Sequence, residues 1–220
     1  MDLTKMSDLQ DYIKKGTTTV GIVCKEGIIL AADKRATAAG RIILNKSVDK
    51  VIKLTDDLAI TIAGNVSDIQ LLTKLIKAEI MLKLVRTGKK PTVKEVANLF
   101  GTIIYQNIRK FSVIPGITAF LLGGRDAIGF HLYELSPDGS VMKHTTYMAD
   151  GSGFMMALGV LDTLYNQNIS LQDGVKLAVR AVNAAMQRDA ATGEGIDVMT
   201  VTKAGVKIVF AKRLDTNIEA

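Results

Sequence analysis

The strongest constraint on how this chain can fold is the order in which its hydrophobic period changes. Strand-like runs joined by tight turns come first, followed by two helical patterns, more strands, two further helical patterns and a last strand pair. Residues 18–24 form a β-branched apolar run, Lys25-Glu26-Gly27 supplies a turn, and 28–32 reads as the antiparallel partner. Shorter pieces at 42–44 and 51–54 precede the turn Thr55-Asp56-Asp57 and a strand over 58–63 that stops at Gly64-Asn65. Ile69, Leu72, Leu75, Ile76, Ile80 and Leu84 then recur at helical spacing, with Ser67 and Asp68 as caps and an end near Gly88. Thr92 and Glu95 make a capping box for a second helix, which Val96, Leu99, Phe100 and Ile103 carry to about Lys110. Strands are predicted at 117–122, 127–135 and 141–148. Past Gly151-Ser152-Gly153, Met156, Val160, Leu161 and Leu164 share one helical face, and Ser170 to Asp173 cap a helix lined by Val175, Leu177, Ala178, Val182 and Ala185. The chain closes on a hairpin, 196–202 with 206–210. Short turns argue against a parallel doubly wound sheet, because parallel strands need long crossovers. The expectation is an α+β fold, a four-layer α-β-β-α sandwich of two antiparallel sheets with a helix pair over each outer face.

A chain of 220 residues with no Gly/Ser linker, repeat or charged tail fits one domain. No apolar stretch reaches membrane-spanning length, and the polar N-terminus lacks the apolar centre of a secretory signal, so a cytoplasmic protein is expected. Cys24 is alone and has no disulfide partner. The net charge of +6 raises the question of nucleic acid. However, Lys and Arg are spread along the chain among Asp and Glu, with no Trp, and a binding face would concentrate them. Neither a nucleic-acid nor a membrane partner is expected.

One junction carries potential chemistry. Met1 to Lys15 is polar and mixed in charge, and Gly16-Thr17-Thr18-Thr19-Val20 opens the first apolar run. Three threonines also make a good strand opening. If the Gly16–Thr17 bond is cut, the Thr17 nitrogen becomes an amine of pKa about 7.7–8.0, able to act as general base for the hydroxyl of its own residue. A residue without a Cβ, such as Gly16, lets another group approach its carbonyl closely. Asp33 ends the partner strand at the same edge of the hairpin as Thr17.

Other chemistries find no support. His131 and His144 read as surface or strand-edge residues with no Cys or Glu at zinc-ligand spacing. There is no phosphate-binding or dinucleotide glycine loop. Asp150 stands where a serine-hydrolase elbow around Ser152 needs its first glycine.

Gly16-Thr17-Thr18-Thr19-Val20-Gly21, Ala32-Asp33-Lys34-Arg35-Ala36-Thr37, Ala63-Gly64, Gly151-Ser152-Gly153 and Gln187-Arg188-Asp189 followed by Gly193 resemble, in order, the motifs of proteasome β subunits, most closely the archaeal type. The likeness runs from Gly16 to about Phe210. It implies the N-terminal nucleophile hydrolase fold, a propeptide over 1–16 removed autocatalytically at Gly16–Thr17, and a catalytic domain over 17–220. On the same basis Thr17 is the nucleophile, Asp33 its acidic partner and Lys50 the catalytic lysine, with Lys46 and Lys53 as rivals. The placement of Lys50 requires one extra residue in the loop from Ala38 to Asn45. Gly64 would supply the oxyanion N–H, and Ser152 and Asp189 would bond around the threonine amine. Thr192 stands where the family carries serine, so a methyl is added beside a retained hydroxyl. Thr37 would pair with substrate backbone, and Ala36, Val48, Ile52, Ile62 and Val66 would line an apolar side-chain pocket.

The resemblance further implies a threonine endopeptidase without metal or cofactor that degrades unfolded polypeptide inside a barrel. Its partners would be the other β subunits of a seven-membered ring, a second β ring, outer α subunits and, through these, a regulatory ATPase. The alternative within the family is an unprocessed structural β subunit.

Overall fold

The computed structural model describes residues 16–38 and 42–214. Residues 1–15 of the expected leader, 39–41 of the loop expected to hold the extra residue, and 215–220 lie outside the described residues. The elements follow as β1 (Thr18–Cys24), β2 (Gly27–Asp33), β3 (Ala36–Ala38), β4 (Ile42–Asn45), β5 (Val51–Lys53) and β6 (Leu58–Gly64). Next come α1 (Val66–Thr87), α2 (Val93–Arg109), β7 (Thr118–Arg125), β8 (Phe130–Leu135), β9 (Val141–His144) and β10 (Tyr147–Gly151). The last are α3 (Phe154–Leu164), α4 (Leu171–Met186), β11 (Gly195–Thr202) and β12 (Gly205–Arg213).

The strands build two five-stranded sheets, ordered β10-β1-β2-β11-β12 and β5-β6-β7-β8-β9, plus the small β3-β4 ribbon. Their pairings are antiparallel. Alternation along β2 decides how the layers stack. Ile28, Leu30 and Ala32, with Met199 of β11 beside them, face Leu121 and Leu132 of the second sheet, while Ile29 and Ala31 face α3 and α4 with Leu161, Leu177 and Val182. A strand covered on both faces reads as a continuous apolar run, and every residue of β2 is buried. On the far side, Ile60, Phe120 and Leu122 pack against Ile69, Leu72, Ile76 and Phe100 of α1 and α2, with the Phe100 and Phe120 rings 4.5 Å apart. The four-layer α-β-β-α sandwich expected from the sequence is the observed architecture.

Several local expectations change. The run 141–148 is two strands rather than one, with β9 closing the second sheet and β10 the first. The chain crosses between layers at Thr145-Thr146, where the Thr146 carbonyl accepts the Val23 N–H. Residues 127–129 form a turn, because Asp126 Oδ1 accepts the N–H groups of Ile128 and Gly129 and curls the backbone before β8 begins. Asn65, rather than Ser67 or Asp68, holds the N-cap position of α1 but makes no side-chain cap, since its Nδ2 donates to the Pro115 carbonyl. Leu75, Leu84, Leu99 and Leu164 are exposed rather than core. His131 is buried beside Asp126, and His144 bonds Glu134. The capping box at Thr92 and Glu95 and the Ser170 cap form as expected. No helix of the described residues is long and apolar enough to cross a membrane.

Candidate active site

Antiparallel pairing brings the start of β1 to the end of β2, with Thr19 opposite Ala32. Asp33 therefore lies beside the entry to β1, where its Oδ1 accepts the Thr18 N–H at 3.0 Å. The segment ahead of β5 is pinned on both sides: Val48 N–H donates to the Lys34 carbonyl, and Ile62 N–H donates to the Lys50 carbonyl. This delivers Lys50 to the same spot. Its Nζ lies 2.8 Å from Asp33 Oδ1, 3.0 Å from Thr17 Oγ1 and 3.5 Å from the Gly16 carbonyl oxygen. The Thr17 hydroxyl in turn donates to that carbonyl at 2.6 Å. Of the two rivals, Lys46 is exposed and Lys53 pairs with Asp56.

The electrostatics suit a buried ion pair. Burial pushes the Lys50 ammonium below its ordinary value of 10.5, and the adjacent Asp33 carboxylate opposes that shift by charge and hydrogen bond. Asp33 is fully buried, and both of its oxygens are saturated. Oδ1 accepts from Thr18 and Lys50, while Oδ2 accepts the N–H groups of Arg35 and Gly193, each at 3.0 Å.

A second set of groups surrounds the Thr17 nitrogen. After α4 the chain turns through Asp189, whose Oδ2 accepts the Thr192 hydroxyl at 2.6 Å and the Ser152 hydroxyl. Ser152 Oγ accepts the Thr17 N–H at 3.2 Å. The Thr192 hydroxyl also meets the Thr18 hydroxyl at 2.7 Å, so the added methyl leaves its hydrogen bonding intact. Of the two residues expected around the threonine amine, Ser152 bonds the Thr17 peptide nitrogen directly, and Asp189 reaches it only through the Ser152 hydroxyl.

Gly16 is held tightly in front of this group. Its N–H donates to Thr37 Oγ1 at 3.2 Å, and a Cβ on it would fall 1.6 Å from the Ala191 Cβ, so only glycine fits. Gly64, at the end of β6, has φ of 114°, and a Cβ there would meet the Ile117 carbonyl oxygen at 2.2 Å. Among the described residues, no hydrogen bond runs from the Gly64 amide to the Gly16 carbonyl. Ala36, Val48, Ile52 and Ile62 are half-buried and Val66 is half-exposed. Ile52 and Ile62 pack on the cluster beneath α1 and α2. A cavity of about 940 Å³ lies at the other end of the sandwich, lined by the turns after β5, β7 and β11, and includes none of these residues.

Arg35, which the sequence motif carries without a role, and Glu194, which lies in none of the motifs, flank the Asp33 cage. The visible signal was an arginine in a three-charge run and a glutamate between two glycines.

The profile of the family described as "Proteasome subunit" matches residues 13–201. The chain belongs to the proteasome subunit family. A protein of Ferroglobus placidus named "Proteasome subunit beta" is 43% identical over 89% of this chain and 90% of its own length. One of the same name from Archaeoglobus profundus is 43% identical over 91% of each. Another from Methanococcus maripaludis is 42% identical over 95% of this chain and 94% of its own. As a proteasome subunit the chain is part of a multi-subunit core with a peptidase role. The matched span contains the Gly16–Thr17 junction, Asp33, Lys50 and the loop from Asp189 to Gly193.

Proposed function

We propose that this proteasome subunit is a catalytic β subunit, a threonine-type endopeptidase made as a precursor that releases its own nucleophile. The observation that carries the reading is the convergence of the Thr17 hydroxyl, the Lys50 ammonium and the Asp33 carboxylate on an intact Gly16–Thr17 bond.

In the first stage, Thr17 Oγ1 adds to the Gly16 carbonyl carbon. The C–N bond breaks, and the Thr17 nitrogen takes the proton. Water then hydrolyses the resulting ester, leaving a carboxylate on Gly16 and a free amine on Thr17. The Lys50 ammonium, within reach of both Oγ1 and the carbonyl oxygen, stabilises negative charge on either.

In the second stage the new amine, with an ordinary pKa of about 7.7–8.0, accepts the Oγ1 proton as that oxygen attacks a substrate carbonyl. The amine passes the proton to the departing nitrogen, and water resolves the acyl-enzyme. Ser152 and Asp189 orient the amine, Thr37 meets the substrate backbone by strand addition, and the Gly64 amide serves as an oxyanion donor once a substrate carbonyl replaces that of Gly16. No step calls on a metal or cofactor. Apolar Ala36, Val48, Ile52, Ile62 and Val66 favour cleavage after apolar residues.

The partners are other β subunits in a seven-membered ring, a second β ring, α subunits outside and an ATPase acting through them, in the cytoplasm. Intact-mass measurement of the subunit in assembled particles tests the reading. Loss of residues 1–16 with peptidase activity supports it; peptide hydrolysis by particles that retain the leader would falsify it.

A further inference from the structure

Among the described residues, Glu194 is the one non-glycine residue with positive φ, at 68°. A side chain costs backbone energy in that region, and such strain persists where the surroundings enforce it. Glycines stand on both sides, so the chain had the unstrained choice close at hand. What the glutamate gains is a buried partner. Its carboxylate is 4% exposed, and its Oε1 accepts from Arg35 Nε at 3.2 Å and from Arg35 Nη2 at 2.9 Å. The third arm of the same guanidinium donates to the Ala190 carbonyl at 2.7 Å. The guanidinium lies flat on Gly193, where a Cβ would come within 2.5 Å of it. Arg35 therefore fastens the end of β2 to the loop from Asp189 to Glu194.

The donors to the outer oxygen of Asp33 come from the two segments this clamp ties together: Arg35 itself and Gly193, the residue before Glu194. Arg35 N–H and Gly193 N–H each reach Oδ2 at 3.0 Å. With Oδ2 gripped from both sides, Oδ1 is turned toward Lys50 and Thr18. We infer that Glu194 is a positioning residue for the reaction: by clamping Arg35 it fixes the Asp33 carboxylate and, through it, the Lys50 ammonium at the Thr17 hydroxyl. The inference rests on the assignment of Thr17 as nucleophile. Glu194 also offsets the Arg35 charge, which by itself pushes Lys50 toward its neutral form.

The test uses assembled particles carrying Glu194→Gly or Glu194→Gln, with Thr17→Ala as reference, and reads leader removal, kcat, KM, pH profile and melting temperature. Glycine suits the backbone angle, so in Glu194→Gly the relief of strain offsets part of the lost ion pair; Glu194→Gln keeps the side-chain volume without the charge. The expected result for both is a kcat lower by about tenfold to a hundredfold, with KM little changed. The alkaline limb of the rate should move down by about one pH unit, because an unpaired Arg35 lowers the Lys50 pKa. Parental kcat and pH profile in both variants overturns the inference. So does a loss of activity that tracks a lowered melting temperature with the limb unmoved, which is a structural role alone. If Thr17→Ala particles are processed and active, the nucleophile assignment fails, and this inference falls with it.

Discussion

At the scale of single residues the site depends on close tolerances. Gly16→Ala should stop leader removal, because the Ala191 side chain occupies the space a Cβ needs and the scissile carbonyl would be pushed off Thr17 Oγ1. The mass of the assembled subunit checks this. Lys50→Met should lower peptide hydrolysis by at least about a hundredfold, and the pH dependence carries a sign. Burial holds the native Lys50 pKa below 10.5, so the ammonium, and the rate it supports, is present below that native value and lost as pH rises through it. The same depression means that the unfolded chain binds the proton more tightly. Lys50 therefore destabilises the fold while charged, and its contribution to stability rises between the native pKa and 10.5. The alkaline loss of rate should thus precede any melting, which parallel rate and circular dichroism profiles would reveal. Cys24, its thiol pushed up to about 12 by burial and by Glu26, should resist alkylation in the folded protein. At this scale the sequence was informative where a residue sits in a motif, as Thr17, Asp33 and Ser152 do. It was ambiguous for Lys50, because three lysines lie within eight residues and only the backbone hydrogen bonds around Val48 and Ile62 single one out. Glu194 was illegible, since its significance is a backbone angle and a partner 159 residues away.

At the scale of elements, the period of the pattern located most strands and helices, and side-chain chemistry moved their ends. Antiparallel runs such as β1 and β2 follow from composition and a tight turn. The break between β9 and β10 does not, because an alternating strand can change sheets without changing its pattern; the crossing is fixed by what each half pairs with. Asn65 is similar: a residue that looks like a cap is recruited to hold the Pro115 segment, leaving α1 uncapped by a side chain. Where the cap is present it should be measurable. Thr92→Ala removes the capping box at the start of α2 and should cost about 1 kcal/mol of stability with kcat unchanged, read by denaturant unfolding and peptidase assay.

At the scale of the molecule, the layered architecture was legible because strands and helices alternate in blocks, and blocks of that kind stack in few ways. The inter-sheet layer ties stability to the site, since β2 supplies both Leu30 to the core and Asp33 to Lys50. Leu30→Ala, at a fully buried position, should cost about 2–5 kcal/mol and reduce the yield of processed subunit along with the melting temperature.

The ladder of β1 begins at Thr18, paired to Gly151 on one side, and at Thr19, paired to Ala32 on the other. Severing the chain one residue earlier breaks no rung of either sheet. The maturation proposed above would therefore be a latch that turns in one direction and leaves both sheets paired as before: a particle's history would be written in its weight.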